Sequence, residues 1–351
     1  MYLCYNLDDN LDDYLDSLYN PSYGYFSKHV VIFSGEAFNF NSMKDENHFN
    51  RELDRRYQEF EDELDEQEYN EARQLWHTPT ELFRPYYGEA IARYLVTNYK
   101  LTLYPYHDLL IYEMGAGNGT LMLNILDYIR DSDPDVYERT KFRIIEISSS
   151  LATLQSQQLQ RTAASRGHAD KVEIINRSIF DWDTYISSPC FFLALEVFDN
   201  FAHDMLRYDP VTEEVMQAYV LVDADGDFYE FYERQLDPVA ARFLRVRDAA
   251  CTGGYNHPLR TPRLLRQLRN FFPLAPNLTI PEFIPTRLLQ FFDILNNYFP
   301  AHRLLTSDFH SLPEAIVGVN APVVQTRFQR KVVPVTTPLV SLFLIQTSTI
   351  S

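Results

Sequence analysis

The sequence has little of what several classes of protein require. Its 351 residues contain only three cysteines, Cys4, Cys190 and Cys251, and no C-x-x-C pair. Neither a disulfide framework nor a cysteine zinc site is therefore predicted. The nine histidines show no metal-ligand spacing, so no bound metal is expected. No window holds eighteen apolar residues, which argues against a transmembrane helix.

Basic residues are also scarce. There are 31 lysines and arginines against 49 aspartates and glutamates, which gives a formal net charge of −18. Because nucleic-acid binding needs a basic face, no nucleic-acid partner is expected. The acidity suits a basic partner such as an arginine-bearing protein, although it also aids solubility. The length and the hydrophobic content of 46% favour one large or two medium globular domains.

The most informative stretch is HDLLIYEMGAGNGTL, residues 107–121. An apolar run ends in an acid, three glycines follow at alternate positions, and a helical apolar pattern begins directly after them. This order predicts a buried strand, a tight glycine turn and a helix. Glycine permits positive φ and lets a ligand approach the backbone, and the helix N-terminus offers free N–H groups. A plain loop is the alternative interpretation.

The glycine spacing bears on which ligand is bound. The dinucleotide fingerprint is G-x-G-x-x-G, whereas this chain has E-x-G-x-G-x-G, which disfavours a dinucleotide oxidoreductase. The pattern resembles the first motif of Rossmann-like S-adenosylmethionine (SAM) methyltransferases. The resemblance implies an α/β fold of class I with SAM as cofactor. The residues of the motif expected to bind it are Glu113, Gly115, Gly117, Gly119 and Thr120.

Three further strands are predicted after the glycine turn. The run 142–147 holds Glu146 near its end, where an acid hydrogen-bonds ribose hydroxyls in Rossmann-like units, although a solvated strand end is the plainer interpretation. The run 172–175 precedes a loop that lies against adenine in the methyltransferase plan. In that loop, Ile179 is expected on the ring face and Asp181 at the exocyclic amine. The run 191–195 leads into EVFDN, so polar or glycine residues follow four predicted strand ends.

The flanking segments are less distinctive. Residues 44–75 are highly charged with a thin apolar stripe at Phe60, Leu64 and Tyr69, which favours a solvated helix or partly ordered insertion over a partner-docking helix. Residues 78–96 read as one helix. Two alternating runs around D-A-D-G-D, residues 223–227, predict a β-hairpin rather than a calcium loop.

Several segments together resemble the MidA-like methyltransferase family, which includes the mitochondrial complex I assembly-factor arginine methyltransferase. The likeness covers most of residues 20–310. The segments that carry it are Gly24-Tyr25-Phe26, Thr78 to Phe83 with Tyr87-Gly88-Glu89, Glu113 to Leu121, Ile145 to Ser148 with Leu151 and Gln155, and Glu196 to Asn200.

The resemblance implies methyl transfer from SAM to a protein arginine, a mitochondrial location and a link to complex I assembly. Glu196 and Asp199 are then the expected catalytic residues, because carboxylates must hold a guanidinium that stays charged. Capping of the next helix is their alternative role. Leu195, Asn200 and Ala202 depart from the family pattern, which keeps open a second hypothesis, an inactive SAM-binding scaffold that docks partners.

The expected organisation has three parts. Residues 1–106 form an N-terminal region with a helical element and the charged insertion, 107–205 the SAM-binding core, and 206–351 a substrate-side insertion followed by strands that complete the sheet. The N-terminus shows neither a secretory nor a transit pattern, so a cytoplasmic location is the alternative. A homodimer is compatible with these features.

Overall fold

The computed structural model of this chain describes residues 30–71, 73–147, 161–222, 228–251, 257–262, 264–266, 276–308 and 324–335. The strands are β1 (Val30–Ile32), β2 (Gln74–Trp76), β3 (Leu109–Met114), β4 (Thr140–Glu146), β5 (Val172–Asn176), β6 (Cys190–Leu195), β7 (Asp204–Tyr208), β8 (Val215–Val222), β9 (Phe228–Glu233), β10 (Glu282–Ile284), β11 (His302–Ser307), β12 (Val324–Phe328) and β13 (Lys331–Val335). The helices with both ends described are α1 (Glu46–Gln67), α2 (Pro79–Leu82), α3 (Tyr86–Thr102), α4 (Thr120–Ser132), α5 (Pro134–Glu138), α6 (Pro238–Ala250) and α7 (Thr286–Tyr298).

The centre is a parallel sheet of five strands in the spatial order β11-β6-β3-β4-β5. Numbered by their own sequence order, these strands run 3-2-1-4-5 from the β5 edge, which is the order of a doubly wound Rossmann sheet. The predicted α/β fold class is therefore confirmed. The order reverses between β3 and β6, and ligands of open parallel sheets bind at the carboxyl ends of the strands beside this point.

Helices cover both faces of this sheet because its strands are apolar on both sides. Leu109 and Ile111 of β3 point into a core that also contains Leu95 of α3 and Leu126 of α4. The alternate residues of β3 point into a second core with Phe291 and other side chains of α7. The apolar positions predicted for the helix after the glycine turn are all buried: Leu121, Met122, Ile125, Leu126 and Ile129.

The charged segment 44–75 is mainly the helix α1, which is packed on one side. Its partly buried apolar residues Phe49, Leu53, Tyr57 and Phe60 contact a small core that includes Phe33. Tyr69, which was expected in the apolar stripe, lies beyond the helix and is 70% exposed. The segment is therefore an ordered amphipathic helix whose apolar side is used within the chain.

The single helix expected over 78–96 is wrong. Thr78 caps α2 by accepting a hydrogen bond from the backbone N–H of Glu81, and α2 ends after four residues. A new helix, α3, then begins at Tyr86 and continues to Thr102. The reason is Pro85, since a proline disfavours the helical conformation of the residue before it and donates no hydrogen bond.

A second sheet is inserted between the fourth and fifth strands of the central one. It is antiparallel, with the order β10-β7-β8-β9. The predicted hairpin is confirmed by β8 and β9, which pair from Gln217 with Glu233 to Val222 with Phe228. The tip at residues 223–227 lies outside the described residues, as do Gly24-Tyr25-Phe26, Ser148, Leu151 and Gln155.

The C-terminal part joins the fold in two places. β11 pairs with β6 along its whole length and becomes an edge of the central sheet. β12 and β13 pair only with each other among the described residues and form a hairpin beside β2. Of the described helices, none is both long and apolar enough to cross a membrane.

Candidate cofactor and substrate site

The glycine turn has the backbone that the spacing predicts. Gly115, Gly117 and Gly119 have φ values of 72°, 51° and 73°. L-amino acids with a Cβ rarely adopt these angles, so alternate glycines allow the chain to leave β3 and start α4 within five residues. Gly119 is the N-cap of α4 and Thr120 its first residue, so the free N–H groups of the helix start directly after the turn.

Glu113 precedes the turn and its carboxyl group is buried at the end of β3. Its Oε2 has no hydrogen-bond partner among the described residues. Burial raises its pKa to about 8. A buried carboxylate with an unused acceptor is costly unless a donor or positive charge meets it. The amino group of SAM's methionine is such a partner, so Glu113 fits the predicted cofactor.

Gly115 brings the turn close to the loop that follows β6. A Cβ built on Gly115 would lie 3.1 Å from Cγ2 of Val197. Val197 stands between the two acids predicted to be catalytic, Glu196 and Asp199. The cofactor turn and the acidic loop therefore adjoin at the point where the strand order reverses.

A glycine that faces a ligand is expected to have open space in its Cβ direction, but Gly117 has a protein side chain there. A Cβ built on it would lie 2.9 Å from Cδ1 of Ile32 in β1. The N-terminal strand β1 thus covers this side of the turn. Space for a ligand at Gly117 must lie along the backbone rather than in the Cβ direction.

Glu146 ends β4 at the same edge of the sheet as Glu113. The register pairs Met114 with Ile145, so Glu146 is one position further along. Its side chain is buried. Its backbone oxygen accepts hydrogen bonds from Nδ2 of Asn176 at 2.9 Å and from the N–H of Arg177 at 3.0 Å. These contacts join the ends of β4 and β5, and the ribose role of Glu146 stays a prediction.

The predicted adenine loop is a short 3₁₀ turn, Ile179–Asp181, held by Ser178, whose hydroxyl accepts a hydrogen bond from the N–H of Phe180. Ile179 is buried in the second core, together with Trp182 and Met114. Asp181 is exposed. The loop lies after β5 at the expected rim, and its contacts with adenine stay a prediction.

The acidic loop after β6 has an unusual backbone. Glu196 has φ of 55°, a left-handed conformation that a residue with a long side chain adopts only when its surroundings impose it. Its N–H donates to the backbone oxygen of Ser307 in β11, at 2.8 Å. Strain of this kind is concentrated at functional sites.

Asp308 holds the same loop from the neighbouring strand. Its Oδ2 accepts hydrogen bonds from the backbone N–H groups of Phe198, at 2.9 Å, and Asp199, at 3.2 Å. The 3₁₀ turn Phe198–Asn200 is therefore capped by Asp308. The carboxylates of Glu196 and Asp199 are not needed to cap these two N–H groups.

Three carboxyl groups thus lie close together at this rim. Burial, together with charge repulsion from Asp199 and Asp308, raises the pKa of Glu196 to about 7. Asp199 is exposed to solvent, yet desolvation by the surrounding loop and then the charge of Asp308 raise its pKa to about 6. Such a cluster favours a cationic ligand, because a positive charge relieves the repulsion.

Two site residues were missed by reasoning from sequence. Asp308 directly follows the fifth strand, β11, and the rule that marked Glu113 and Glu146 as acids at strand ends would have found it. Glu81 was placed in a helix start and in one of the segments that resemble the family, without a role in the site. Its carboxylate accepts hydrogen bonds from Thr120 and Asn118, 39 and 37 positions further along the chain, and no local pattern indicates this.

Comparison with known proteins identifies the family of this chain. A model of the family described as "Putative S-adenosyl-L-methionine-dependent methyltransferase" matches residues 90–341. The protein named protein arginine methyltransferase NDUFAF7 homolog, mitochondrial, of Schizosaccharomyces pombe is 28% identical over 242 residues, which are 68% of this chain and 51% of that protein. The chain therefore spans about half the length of this relative.

Solved structures show a weaker likeness. A COG1565 superfamily member from Burkholderia thailandensis, bound to S-adenosyl-homocysteine, aligns with a TM-score of 0.42 and 17% identity over 67% of this chain and 48% of that one. A second COG1565 superfamily structure from the same organism aligns with a TM-score of 0.35 and 18% identity over 49% of this chain and 41% of that one. Family membership rests instead on the family model, which matches well over half of the sequence. This chain belongs to the family of S-adenosyl-L-methionine-dependent methyltransferases.

Proposed function

We propose that this chain is an active SAM-dependent methyltransferase that methylates an arginine of a protein substrate. The observation that carries the proposal is the acidic loop after β6, where Glu196 and Asp199 adjoin the cofactor turn through Val197. The S. pombe relative is named a mitochondrial protein arginine methyltransferase. A mitochondrial location and the link to complex I assembly belong to the same proposal.

The cofactor site is formed by the turn and the strand ends around it. Glu113 would meet the amino group of SAM, the glycine turn its methionine end, and Glu146 its ribose, with Ile179 and Asp181 beside the adenine. When bound, SAM supplies an electrophilic methyl group on a positively charged sulfur. The protein's contribution is to hold the acceptor nitrogen in line with the bond between the methyl group and the sulfur.

Glu196 and Asp199 perform that positioning for a guanidinium. A carboxylate accepts two parallel hydrogen bonds from arginine, which fixes the plane of the group as well as its position. When the acceptor nitrogen of the guanidinium gains a methyl group, it must lose a proton. Because the pKa of Glu196 is raised to about 7, its carboxylate can accept that proton and then release it to solvent.

Replacing Asp199 tests the proposal. Asp199→Asn keeps size and polarity but removes the charge, so it should spare SAM binding and lower methyl transfer by about 10²-fold, since misplacement of a reacting group can cost that much. Calorimetry with SAM, the melting temperature and methyl transfer to arginine-containing protein, read by mass spectrometry, are the measurements. Asp209→Asn is the control, because Asp209 is an aspartate of another turn, where it accepts backbone N–H bonds from Val211 and Thr212.

The pH profile gives a second readout. The pKa values of Glu196 and Asp199 are raised to about 7 and about 6, so both lose their charge as the pH falls through this range. Turnover should therefore rise between about pH 5 and pH 8, and Asp199→Asn should change the shape of that rise. Unchanged turnover in Asp199→Asn would contradict the proposal.

A specific contact keeps the inactive scaffold as a second candidate. Asn200 stands where the family has alanine, and its Nδ2 donates a hydrogen bond to Oδ1 of Asp199 at 2.7 Å. This bond occupies an oxygen that a guanidinium would use. The scaffold hypothesis predicts that the native protein binds SAM but transfers no methyl group.

A thermal shift with SAM, S-adenosyl-homocysteine, NAD and NADP tests the identity of the cofactor separately, since a ligand of the native state raises the melting temperature.

A further inference from the structure

The carboxylate of Glu81 is bonded to the cofactor turn from outside the cofactor site. Its Oε1 accepts hydrogen bonds from Oγ1 of Thr120 at 2.7 Å and from Nδ2 of Asn118 at 3.1 Å. Its Oε2 accepts one from Arg84 at 3.2 Å. Glu81 is buried. Asn118 lies in the glycine turn, and Thr120 is the first residue of α4. One side chain of α2 therefore holds both sides of Gly119.

Packing alone does not explain why a carboxylate is buried at this position. A buried carboxylate is costly, and an apolar residue of similar volume would often serve stability as well. Here the charge faces the positive end of the α4 dipole, where an anion is favourable. It also restrains a turn whose three glycines have more conformational freedom than any other residue when unrestrained.

We propose that Glu81 is a positioning residue for the cofactor. It acts through Asn118 and Thr120, which it holds so that the backbone of residues 115–120 is formed before the ligand arrives. Pre-organisation of this kind raises affinity, because less conformational freedom is lost on binding. The inference rests on the SAM binding of the proposed function, and it gives the hydroxyl of Thr120 a role within the turn.

Glu81 lies outside the part of the chain that the family model matches. The family model begins at residue 90, so Glu81 precedes the matched range. Ile32 of β1 also reaches the turn, at Gly117. The segment before residue 90 therefore forms one wall of the cofactor site and is expected to contribute to SAM affinity.

The test compares variants of the full chain by calorimetry with SAM and S-adenosyl-homocysteine. Glu81→Ala removes both contacts and should weaken both ligands by about tenfold or more, the effect of losing one or two hydrogen bonds to a charged group. Glu81→Gln keeps an acceptor oxygen and should recover most of that affinity. Hydrogen exchange of the amides of 115–120 in the ligand-free protein should be faster in Glu81→Ala.

Asp127→Ala is the control for a purely structural effect. Asp127 lies on the same helix, α4, and accepts bonds from Arg166 and pairs with His168, away from the turn. It should lower the melting temperature without changing SAM affinity. If Asp127→Ala and Glu81→Ala weaken SAM equally, or if Glu81→Ala binds as the native protein does, the positioning role is refuted.

Two further variants keep the inference testable if Glu81→Ala does not fold. Thr120→Val and Asn118→Ala each remove one donor to Glu81 and should each weaken SAM and speed exchange in the turn. Native affinity in both would overturn the inference while leaving the proposed function standing. Absence of SAM binding by the native protein would overturn both together.

Discussion

Glu113, the last residue but one of the central strand β3, has a buried carboxyl group, one oxygen of which has no hydrogen-bond partner among the described residues. Desolvation is the cause of its raised pKa, about 8 against an ordinary value of 4.5. The residue is therefore unfavourable for the ligand-free fold when it is charged. This is the pattern of a group kept for binding rather than for stability.

Glu113→Gln should show this through the pH dependence of stability. Below about pH 4 the carboxyl is protonated in both the folded and unfolded states and has no effect. Between about pH 4.5 and 8 the folded state retains a proton that the unfolded state has lost, so this group lowers the free energy of unfolding as the pH rises. Ligand-free Glu113→Gln should therefore gain melting temperature over the native protein at pH 8 but not at pH 4.

The same substitution should weaken SAM, because the amide carries no charge to meet an amino group. Melting curves across pH 4–9 and calorimetry with SAM are the measurements. A difference in melting temperature that is the same at every pH would contradict the assignment of an uncompensated charge to Glu113.

At the scale of elements, the unit of strand, turn and helix from Leu109 to Ser132 is the best-predicted part of the chain. Its apolar periods, its three glycines and its final helix all indicate the same local structure, and such agreement between levels marks a reliable assignment. The turn itself depends on positive φ at Gly115, Gly117 and Gly119. The loop after β6 and the neighbouring strand β1 then limit the room beside Gly115 and Gly117.

Gly117→Val and Gly167→Val form a matched pair for this turn. Both glycines have positive φ, 51° and 82°, but a Cβ on Gly167 would meet no atom within 4 Å. A left-handed conformation costs an L-residue about 1–2 kcal/mol, so both variants should lose a similar amount of stability from backbone strain. Only Gly117→Val should lose SAM binding, because its side chain also collides with Ile32 of β1 and must displace the turn. Retained SAM affinity in folded Gly117→Val would refute the role of this turn.

At the scale of the whole molecule, the two ends of the described chain are joined by a buried ion pair. Arg327 in β12 donates from Nη1 to Oε1 of Glu61 at 3.0 Å and from Nη2 to Oε2 at 3.1 Å. Gln74 bonds the backbone N–H and oxygen of Arg327 with its side-chain amide, at 2.7 and 2.8 Å. The charged helix α1 thus uses its acids to bind the C-terminal hairpin, within a chain whose net charge is −18.

Arg327→Ala should destabilise the protein by about 3–5 kcal/mol, because it leaves the carboxylate of Glu61 buried without its partner. Arg330→Ala is the control: Arg330 pairs with Asp62 and Asp65 from the same hairpin, but its side chain is 44% exposed. Its loss should cost less than about 1 kcal/mol, as for other exposed pairs. Denaturant unfolding measures both values, and equal costs would show that burial of the Glu61–Arg327 pair does not matter.

The local elements of this protein follow from its sequence because their causes are local. These causes act within about fifteen residues: alternation between two faces, the helical period after Thr120, the glycines before it, and the D-A-D-G-D sequence between two alternating runs. The parallel direction of the strands also follows from the sequence, since strands that alternate with helices favour a doubly wound arrangement. The acids at the ends of β3 and β4 could be identified for the same reason.

Tertiary structure alone decided how the site is supported. Glu81 bonds Asn118 across 37 positions, Asp308 bonds Asp199 across 109, and Arg327 bonds Glu61 across 266. No periodicity records such pairs, because each depends on how several elements pack at once. The left-handed Glu196 belongs with them, since its conformation is imposed by β11 and the loop around it. The sequence by itself determined the first four strands of the central sheet, the turn and the family, whereas packing determined which distant side chains hold the turn and the acidic loop in place.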